Sequence, residues 1–285
     1  MSIRTDLAVE LTDNPNILNG IKTSERNIFD LNVTKTEILT EKAEREISKP
    51  RGRYVTIRSK SSFDVHSDLF YERAKIISDE LKDLLGNAKS VLVAGLGNRE
   101  ITPDSLGVIT ADHIFATRHI HTLAPDLITD DMPSVSVLTP SVMGKTGIET
   151  SQLIGAVVKE LSPEVVIIID SLACAKLVNL AKTIQLSDTG ITPGSGVLNK
   201  RAELSHSTLS TRVISIGVPT VVDMQTIAES LSGGKVKGES NLDHFFVTPK
   251  DIDRLIARAA KLISASVNMC LFPGLSLEEI NSLVE

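Results

Sequence analysis

Four short apolar runs, separated by amphipathic segments, constrain the fold of this chain more than any other feature. They are SVLVAG from Ser90, VSVL from Val135, VVIII from Val165 and VISIGV from Val213. Runs of this length that are rich in branched side chains are typical of buried strands. Because they alternate with helical patterns, they predict an α/β fold with a mostly parallel sheet and helices on both faces.

Residues 7–62 have a different pattern, in which polar and apolar side chains alternate, as in NIFDLNVTKTEILT and RYVTIRS. This pattern predicts edge or hairpin strands, so we expect a β-rich N-terminal segment. The most basic stretch, Lys49–Arg53, is expected to be a solvated turn. Residues 232–246 contain SGGKVKGES and are expected to form a flexible surface loop. We expect a single α/β domain over residues 7–285.

Cap-like patterns predict where several helices begin. Thr102 followed by Pro103 predicts a helix to about residue 120. Thr146 and Glu149 have capping-box spacing and predict a helix that ends near residue 161. Further helices are expected over residues 171–182 and 220–231.

Charge and cysteine content exclude several classes of function. The chain has 30 Lys and Arg against 36 Asp and Glu, with the signs interleaved, so it lacks the basic footprint of a nucleic-acid binder. The apolar runs are too short to span a membrane, and the N-terminus lacks a secretory pattern. Cys174 and Cys270 lack the spacing of a disulfide framework or metal site and are expected in the core. We therefore expect a cytoplasmic protein without nucleic-acid or membrane partners.

Two aspartates follow two of the apolar runs. Asp170 comes directly after VVIII, and Asp104 lies in the segment that follows VLVAG. Since ligands gather at the carboxyl ends of parallel strands, we expect both carboxyl groups at one edge of the sheet. Two close carboxylates do not easily both ionise, so one can serve as acid and the other as base.

Each aspartate also has an alternative interpretation. Asp104 near a helix start can stabilise the helix dipole, and Asp170 can accept backbone amides. The same two carboxylates could instead hold a divalent metal that activates water.

The loop SDTGITPGSGVLNKR, residues 187–201, is a third candidate feature. Its three glycines and its proline favour a tight turn whose amides could cradle an oxyanion or a peptide backbone. Ser195 lies in Gly-Ser-Gly, which does not match the nucleophile elbow of serine hydrolases. The candidate cleft residues are Asp188, Gly194, Ser195, Gly196 and Glu149, although Glu149 also fits a simple capping role.

Nine stretches, in order along the chain, resemble the germination protease family of spore-forming bacteria. They are RTDLAVE (4–10), GRYVTI (52–57), VAGLGNREITPDSLG (93–107), TRH (117–119), VMGKTGIETS (142–151), IIDSLA (168–173), TIQLSDTGITPGSGVLNKR (183–201), IGVPTVVD (216–223) and VTPKDID (247–253). The resemblance spans most of the chain.

This resemblance implies an endopeptidase that cleaves small acid-soluble spore proteins in the spore core during germination. The proposed catalytic aspartates of the family map to Asp104 and Asp170, and its architecture is related to hydrogenase-maturation peptidases. Members are tetramers made as self-processing zymogens. Their cleavage sites place an acidic residue before an aliphatic or aromatic residue and then Ala. Asp6, Leu7 and Ala8 fit this pattern, so residues 1–6 are expected to be a short propeptide cut after Asp6.

Two other functions stay open. The first is a metal-dependent maturation-type peptidase, which would lose activity with a chelator. The second is a non-catalytic binding protein on the same scaffold, which would tolerate Asp→Asn changes at both aspartates. Our preferred interpretation includes no cofactor and no metal ligand.

Overall fold

The computed structural model describes residues 5–12, 19–61, 63, 68–129, 132–197, 201–232 and 245–284. Its strands are β1 (Ile21–Ile28), β2 (Leu31–Ile38), β3 (Gly52–Ser59), β4 (Ser90–Gly95), β5 (Ser134–Leu138), β6 (Val165–Cys174), β7 (Thr183–Ser187), β8 (Arg212–Asp223) and β9 (Phe246–Val247). Its helices are α1 (Ala8–Leu11), α2 (Glu41–Ile47), α3 (Phe70–Leu85), α4 (Leu106–Ala111), α5 (Arg118–Leu123), α6 (Met143–Thr146), α7 (Thr150–Leu161), α8 (His206–Leu209), α9 (Met224–Ser232), α10 (Ile252–Leu271) and α11 (Leu277–Val284).

These strands form one mixed sheet in the order β1-β2-β3-β7-β8-β6-β4-β5, with β9 beside β8. Strands β8, β6, β4 and β5 pair in parallel. Strands β1, β2, β3, β7 and β8 pair antiparallel. The α/β class and the β-rich N-terminal segment are confirmed. The expected parallel pairing holds for the half of the sheet that the four apolar runs build, and the N-terminal strands extend that same sheet.

Helices cover both faces of the parallel half, as predicted. Alternate residues of β4 and β6 belong to opposite layers of the core. Val93 and Ile167 pack with residues of α3, α4 and α10 on one face. Leu92 and Ile168 pack with Ile154 of α7 on the other face. Because both faces are buried, the strands are apolar at nearly every position.

The prediction of a single helix over residues 102–120 was wrong. A 3-10 turn over Thr102–Asp104 precedes α4, and α5 begins only at Arg118. The break follows from a contact with α10. The side chain of Asn268 accepts a hydrogen bond from the Phe115 amide and donates one to the His113 carbonyl. This buried amide satisfies the backbone of the linking segment, which therefore does not need helical hydrogen bonds.

Other helix boundaries also differ from the expectations. Residues 171–174 continue β6, because they pair with residues 218–222 of β8. Thr146 ends α6, and α7 begins after Glu149, whose side chain makes no cap hydrogen bond. Thr220 lies within β8, and Asp223 accepts the Thr226 amide at the start of α9.

Two expectations fall mainly outside the residues that the structure describes. Residues 1–4 of the expected propeptide and residues 233–244 of the expected surface loop are among the undescribed segments. Over the described ranges, no helix combines the length and apolar character needed to cross a membrane.

Candidate active site

Asp170 lies in the middle of the sheet, on the strand that β4 and β8 flank. The partner strand β4 ends at Gly95, opposite Ile169, so Asp170 is the first residue of β6 beyond that edge. Its side chain is only 5% exposed. The amide of Ser171 donates a 2.9 Å hydrogen bond to the Asp170 carboxylate. The strand continues to Cys174, so Asp170 does not end the strand as the sequence suggested.

A turn after β4 positions Asp104 next to this strand. The Asn98 amide donates to both the backbone oxygen and the side-chain Oδ2 of Asp104, each at 3.0 Å. Gly97 has a φ of +106°, and a Cβ there would lie 1.8 Å from the Asp104 carbonyl oxygen. A Cβ on Gly107 would lie 2.2 Å from the Ile169 carbonyl oxygen. These two glycines therefore allow the turn to approach the backbone immediately before Asp170.

Burial raises the pKa of both carboxyl groups. For Asp170, burial is the largest cause, the charge of Asp104 raises the pKa further, the Ser171 amide opposes it, and Asp6 adds a smaller increase. For Asp104, burial raises the pKa and the hydrogen bond from the Asn98 amide lowers it. The pKa of Asp170 lies well above its ordinary value, so Asp170 is the member of the pair that keeps its proton to higher pH.

The N-terminal segment Thr5–Leu11 lies along the C-terminal end of β6, and Asp6 makes most of its hydrogen bonds with that strand and with β7. The Asp6 amide donates to the Ala173 carbonyl at 2.9 Å. The Asp6 carboxylate accepts hydrogen bonds from the Ala173 amide at 2.8 Å and from Ser195 Oγ at 2.6 Å. Its carbonyl oxygen accepts from Lys49 Nζ at 3.1 Å and from Gln185 Nε2 at 2.9 Å. Every polar atom of Asp6 therefore has a partner.

The residues after Asp6 are buried. Leu7 is fully buried against Leu172, Cys174 and Val222. Glu10 is also buried, and its carboxylate accepts from the amides of residues 175 and 176 and from the side chains of residues 5 and 179. The segment is therefore an integral part of this end of the sheet.

The structure places the remaining predicted cleft residues in different surroundings. Ser195 and Gly196 contact Asp6, and a Cβ on Gly196 would lie 2.5 Å from Asp6 Oδ2. Gly194 has a φ of +71° and supports the turn that precedes Ser195. Asp188 faces β3 and accepts from the amide and the Nε of Arg53, each at 2.7 Å. Glu149 lies at the N-terminal cap position of α7.

Sequence reasoning missed Lys49 and Gln185. Lys49 belongs to the basic stretch that was expected to be a solvated turn, but it is partly buried and bound to the Asp6 carbonyl. Burial lowers its pKa, while the charges of Asp6 and Glu10 raise it. Gln185 lies in β7 and also accepts the Ala8 amide at 2.7 Å. No spacing pattern links these residues, since they meet only through the folding of the N-terminus onto the sheet.

The described residues were compared with the ligand sets that metal ions need in proteins. Within the part of the chain that the structure describes, no group of three or more His, Cys, Asp or Glu side chains is placed to hold a metal ion. Both cysteines are free and buried. Burial raises the pKa of Cys270 to about 12, and it raises the pKa of Cys174 as well. Both thiols therefore stay protonated at neutral pH.

Comparison with known proteins identifies the family. The family model described as germination protease matches residues 3–232. A germination protease of Clostridium acetobutylicum is 36% identical over an alignment of 324 positions, gaps included, which covers 99% of each protein. This chain belongs to the germination protease family. A second member, from Caldanaerobacter subterraneus, is 37% identical over 319 residues and covers all of this chain. A third, from Bacillus velezensis, is 43% identical over 239 aligned positions, which cover 79% of this chain and 65% of that protein.

Membership of this family makes the chain a peptidase. Among solved structures, the [NiFe] hydrogenase maturation protease HycI from Thermococcus kodakarensis matches 66% of this chain and 98% of its own chain. Its sequence identity is 17% and its TM-score is 0.38, so the likeness between the two structures is partial.

Proposed function

We propose that this chain is the endopeptidase that begins the degradation of small acid-soluble spore proteins in the germinating spore. It cuts after an acidic residue, and Asp104 and Asp170 act as base and acid. The observation that carries the proposal is the approach of two carboxyl groups at one sheet edge, where burial raises the pKa of both. Family membership supports the peptidase activity, and the resemblance noted above supports the substrate, the spore-core location and a tetramer.

The surroundings of the two carboxyl groups support different roles for them. Asp170 is the more deeply buried and has the Asp104 charge beside it, so it retains its proton. Asp104 has the Asn98 amide on its carboxylate and is the better candidate for the ionised base. In the proposed reaction, a water oxygen attacks the peptide carbonyl carbon while its proton passes to Asp104. Asp170 then protonates the leaving nitrogen as the C–N bond breaks, which gives a carboxylic acid and an amine. The proton on Asp104 passes back to Asp170 and restores the pair, and the product acid ionises in solution.

We also propose that the chain is made as a zymogen that cuts itself between Asp6 and Leu7. The sequence Asp-Leu-Ala at residues 6–8 agrees with the cleavage pattern of the family. The position of Asp6 beside Ala173, on the strand that carries Asp170, supports this proposal, because it keeps the bond near the candidate pair.

The function is tested with an unfolded peptide that contains Glu-Ile-Ala. The full chain is incubated at mildly acidic pH and then with the peptide, and the products are identified by mass spectrometry. We expect a cut after Glu by the wild type. Asp170→Asn and Asp104→Asn should each lose at least about a hundredfold in rate, in line with the usual contribution of a positioned acid or base. Asp126→Asn, at an exposed position, is the matched control.

Three outcomes distinguish the alternatives. Full activity in both site variants would overturn the assignment of the pair. Loss of wild-type activity with a chelator, restored by a divalent metal, would favour the metal-dependent peptidase. Failure of a folded wild-type chain that is produced without residues 1–6 to cut the peptide would favour the binding protein.

A further inference from the structure

The contacts of Asp6 describe a built binding site for a carboxylate. Two donors converge on its side chain: the Ala173 amide on Oδ2 at 2.8 Å and Ser195 Oγ on Oδ1 at 2.6 Å. Each carboxylate oxygen therefore has its own donor, and hydrogen bonds to an ionised acceptor are the stronger kind. The two donors come from different elements, the end of β6 and the 3-10 turn Ser195–Val197.

Gly196 makes room for this carboxylate. A Cβ there would lie 2.5 Å from Asp6 Oδ2 and 2.6 Å from Ala173 Cβ. Gly196 is buried, whereas Ser195 is exposed, so the site has a closed floor and an open side. A glycine is therefore needed at position 196 because any side chain there would occupy the space of the carboxylate.

The backbone around Asp6 is held in the manner of a bound peptide. Its amide donates to a strand carbonyl, and its own carbonyl accepts from Lys49 and Gln185. The next side chain, Leu7, fills an apolar pocket, and Ala8 is fully buried. Acidic Asp6 thus lies among hydrogen-bond donors, the larger apolar Leu7 lies in an apolar pocket, and the small Ala8 is fully buried.

We infer that the Ala173 amide, Ser195 Oγ and the space left by Gly196 form the subsite that selects the acidic residue before the scissile bond of a substrate. In the unprocessed chain Asp6 fills this subsite, so the N-terminus acts as an internal competitor. The inference rests on the proposed endopeptidase function. Its ligand class is an extended peptide with an Asp or Glu side chain.

The hydrogen bonds to the Asp6 carbonyl also explain why the unprocessed chain would be inactive. Lys49 and Gln185 donate to the oxygen of the Asp6–Leu7 peptide bond, while Ala173 and Ser195 donate to the Asp6 carboxylate. Self-cleavage releases residues 1–6 and takes Asp6 out of the subsite. A substrate carboxylate then replaces it on the same donors.

The test uses two peptides that differ only in Glu or Gln before the cut. The full chain and its variants receive the same acid incubation, and kcat/KM is measured for each peptide. Ser195→Ala should lower the Glu-to-Gln ratio on the order of tenfold, because it removes a hydrogen bond to a charged group. Ser195→Thr should restore most of the ratio, and Ser282→Ala on the distant helix α11 should leave it unchanged. Since both peptides are measured on one preparation, any loss of folded enzyme cancels in the ratio.

Gly196→Ala provides the second arm. Its added methyl group would enter the space of the carboxylate, so the Glu peptide should lose more kcat/KM than a peptide with Ala before the cut. A Glu-to-Gln ratio that stays within twofold of wild type in Ser195→Ala would overturn the subsite. If the wild type cuts neither peptide, the proposed function itself fails. Wild-type cutting without a change of ratio overturns only the subsite.

Discussion

At the scale of single residues, the main feature is the placement of Asp170 in a buried central strand. Burial and the neighbouring Asp104 raise its pKa, and the hydrogen bond from the Ser171 amide opposes them. The folded protein therefore binds more protons than the unfolded chain between the ordinary carboxyl pKa of about 4 and the raised value. Over that window, the free energy of unfolding contributed by this group falls as pH rises.

Asp170→Asn should remove this pH dependence. We expect the variant to be more stable than wild type at neutral pH and the difference to shrink as pH falls towards about 4. Urea unfolding over that range measures it, with Asp126→Asn as the exposed control. A variant that unfolds more easily than wild type at neutral pH would show that the carboxylate stabilises the fold and is not strained by burial.

At the scale of elements, several ion pairs join the β1–β2 hairpin to α3, and the pair between Arg73 and Asp30 has the buried arginine. Arg73 is 3% exposed and contacts Asp30 in the turn between β1 and β2, with Nη2 at 2.6 Å from Oδ2 and Nε at 3.1 Å from Oδ1. Burial alone would raise the pKa of Asp30, but hydrogen bonds from Arg73 and Ser59 outweigh it and lower that pKa. This pair therefore stabilises the fold above the ordinary carboxyl pKa, and its contribution is lost as pH falls through the lowered value.

Arg73→Met should destabilise the protein by roughly 3 kcal/mol at neutral pH, since it leaves the Asp30 carboxylate without its charged partner. The loss should be smaller in acid, where Asp30 is protonated. Denaturant unfolding of the variant measures both effects. Arg254→Met is the control, because its pair with Asp251 is exposed and should contribute little. Equal losses in the two variants would contradict the importance of burial.

At the scale of the whole molecule, the N-terminal segment holds together parts of the chain that are distant in sequence. Glu10 accepts the amides of Ala175 and Lys176, at 2.7 and 2.9 Å, and the Asn179 side chain at 2.6 Å. These donors lie between β6, which carries Asp170, and β7. The buried carboxylate therefore fixes the connection that follows β6.

Glu10→Gln should loosen this connection, because the NH2 group of the new side chain would face N–H groups that now donate to the Glu10 carboxylate. We expect a loss of about 1–3 kcal/mol. Amide exchange followed by mass spectrometry should show faster exchange over residues 174–180, with the central strands protected. Glu278→Gln, exposed on α11, is the control. Uniformly faster exchange would mean that Glu10 supports the whole fold and not this connection.

Much of the fold follows from local patterns in the sequence. The four apolar runs became the parallel strands, because strands that are buried on both faces carry apolar side chains at nearly every position. The rule that parallel strands end at one edge also predicts that Asp104 and Asp170 lie close together. These features depend on residues close together in the chain.

The remaining features depend on contacts between residues far apart. Residues 171–174 carry a helix-like pattern, yet they extend β6 because β8 lies beside them. The helix expected after Thr102 breaks where Asn268, from the last third of the chain, takes over its backbone hydrogen bonds. Asp6 meets Lys49, Gln185 and Ser195 only once the sheet has formed. The strands and the family can be read from the sequence, and the pair of aspartates stays a prediction from it. The surroundings of Asp6 could be known only from the folded protein, because hydrogen bonds between distant residues leave no periodic pattern in the chain.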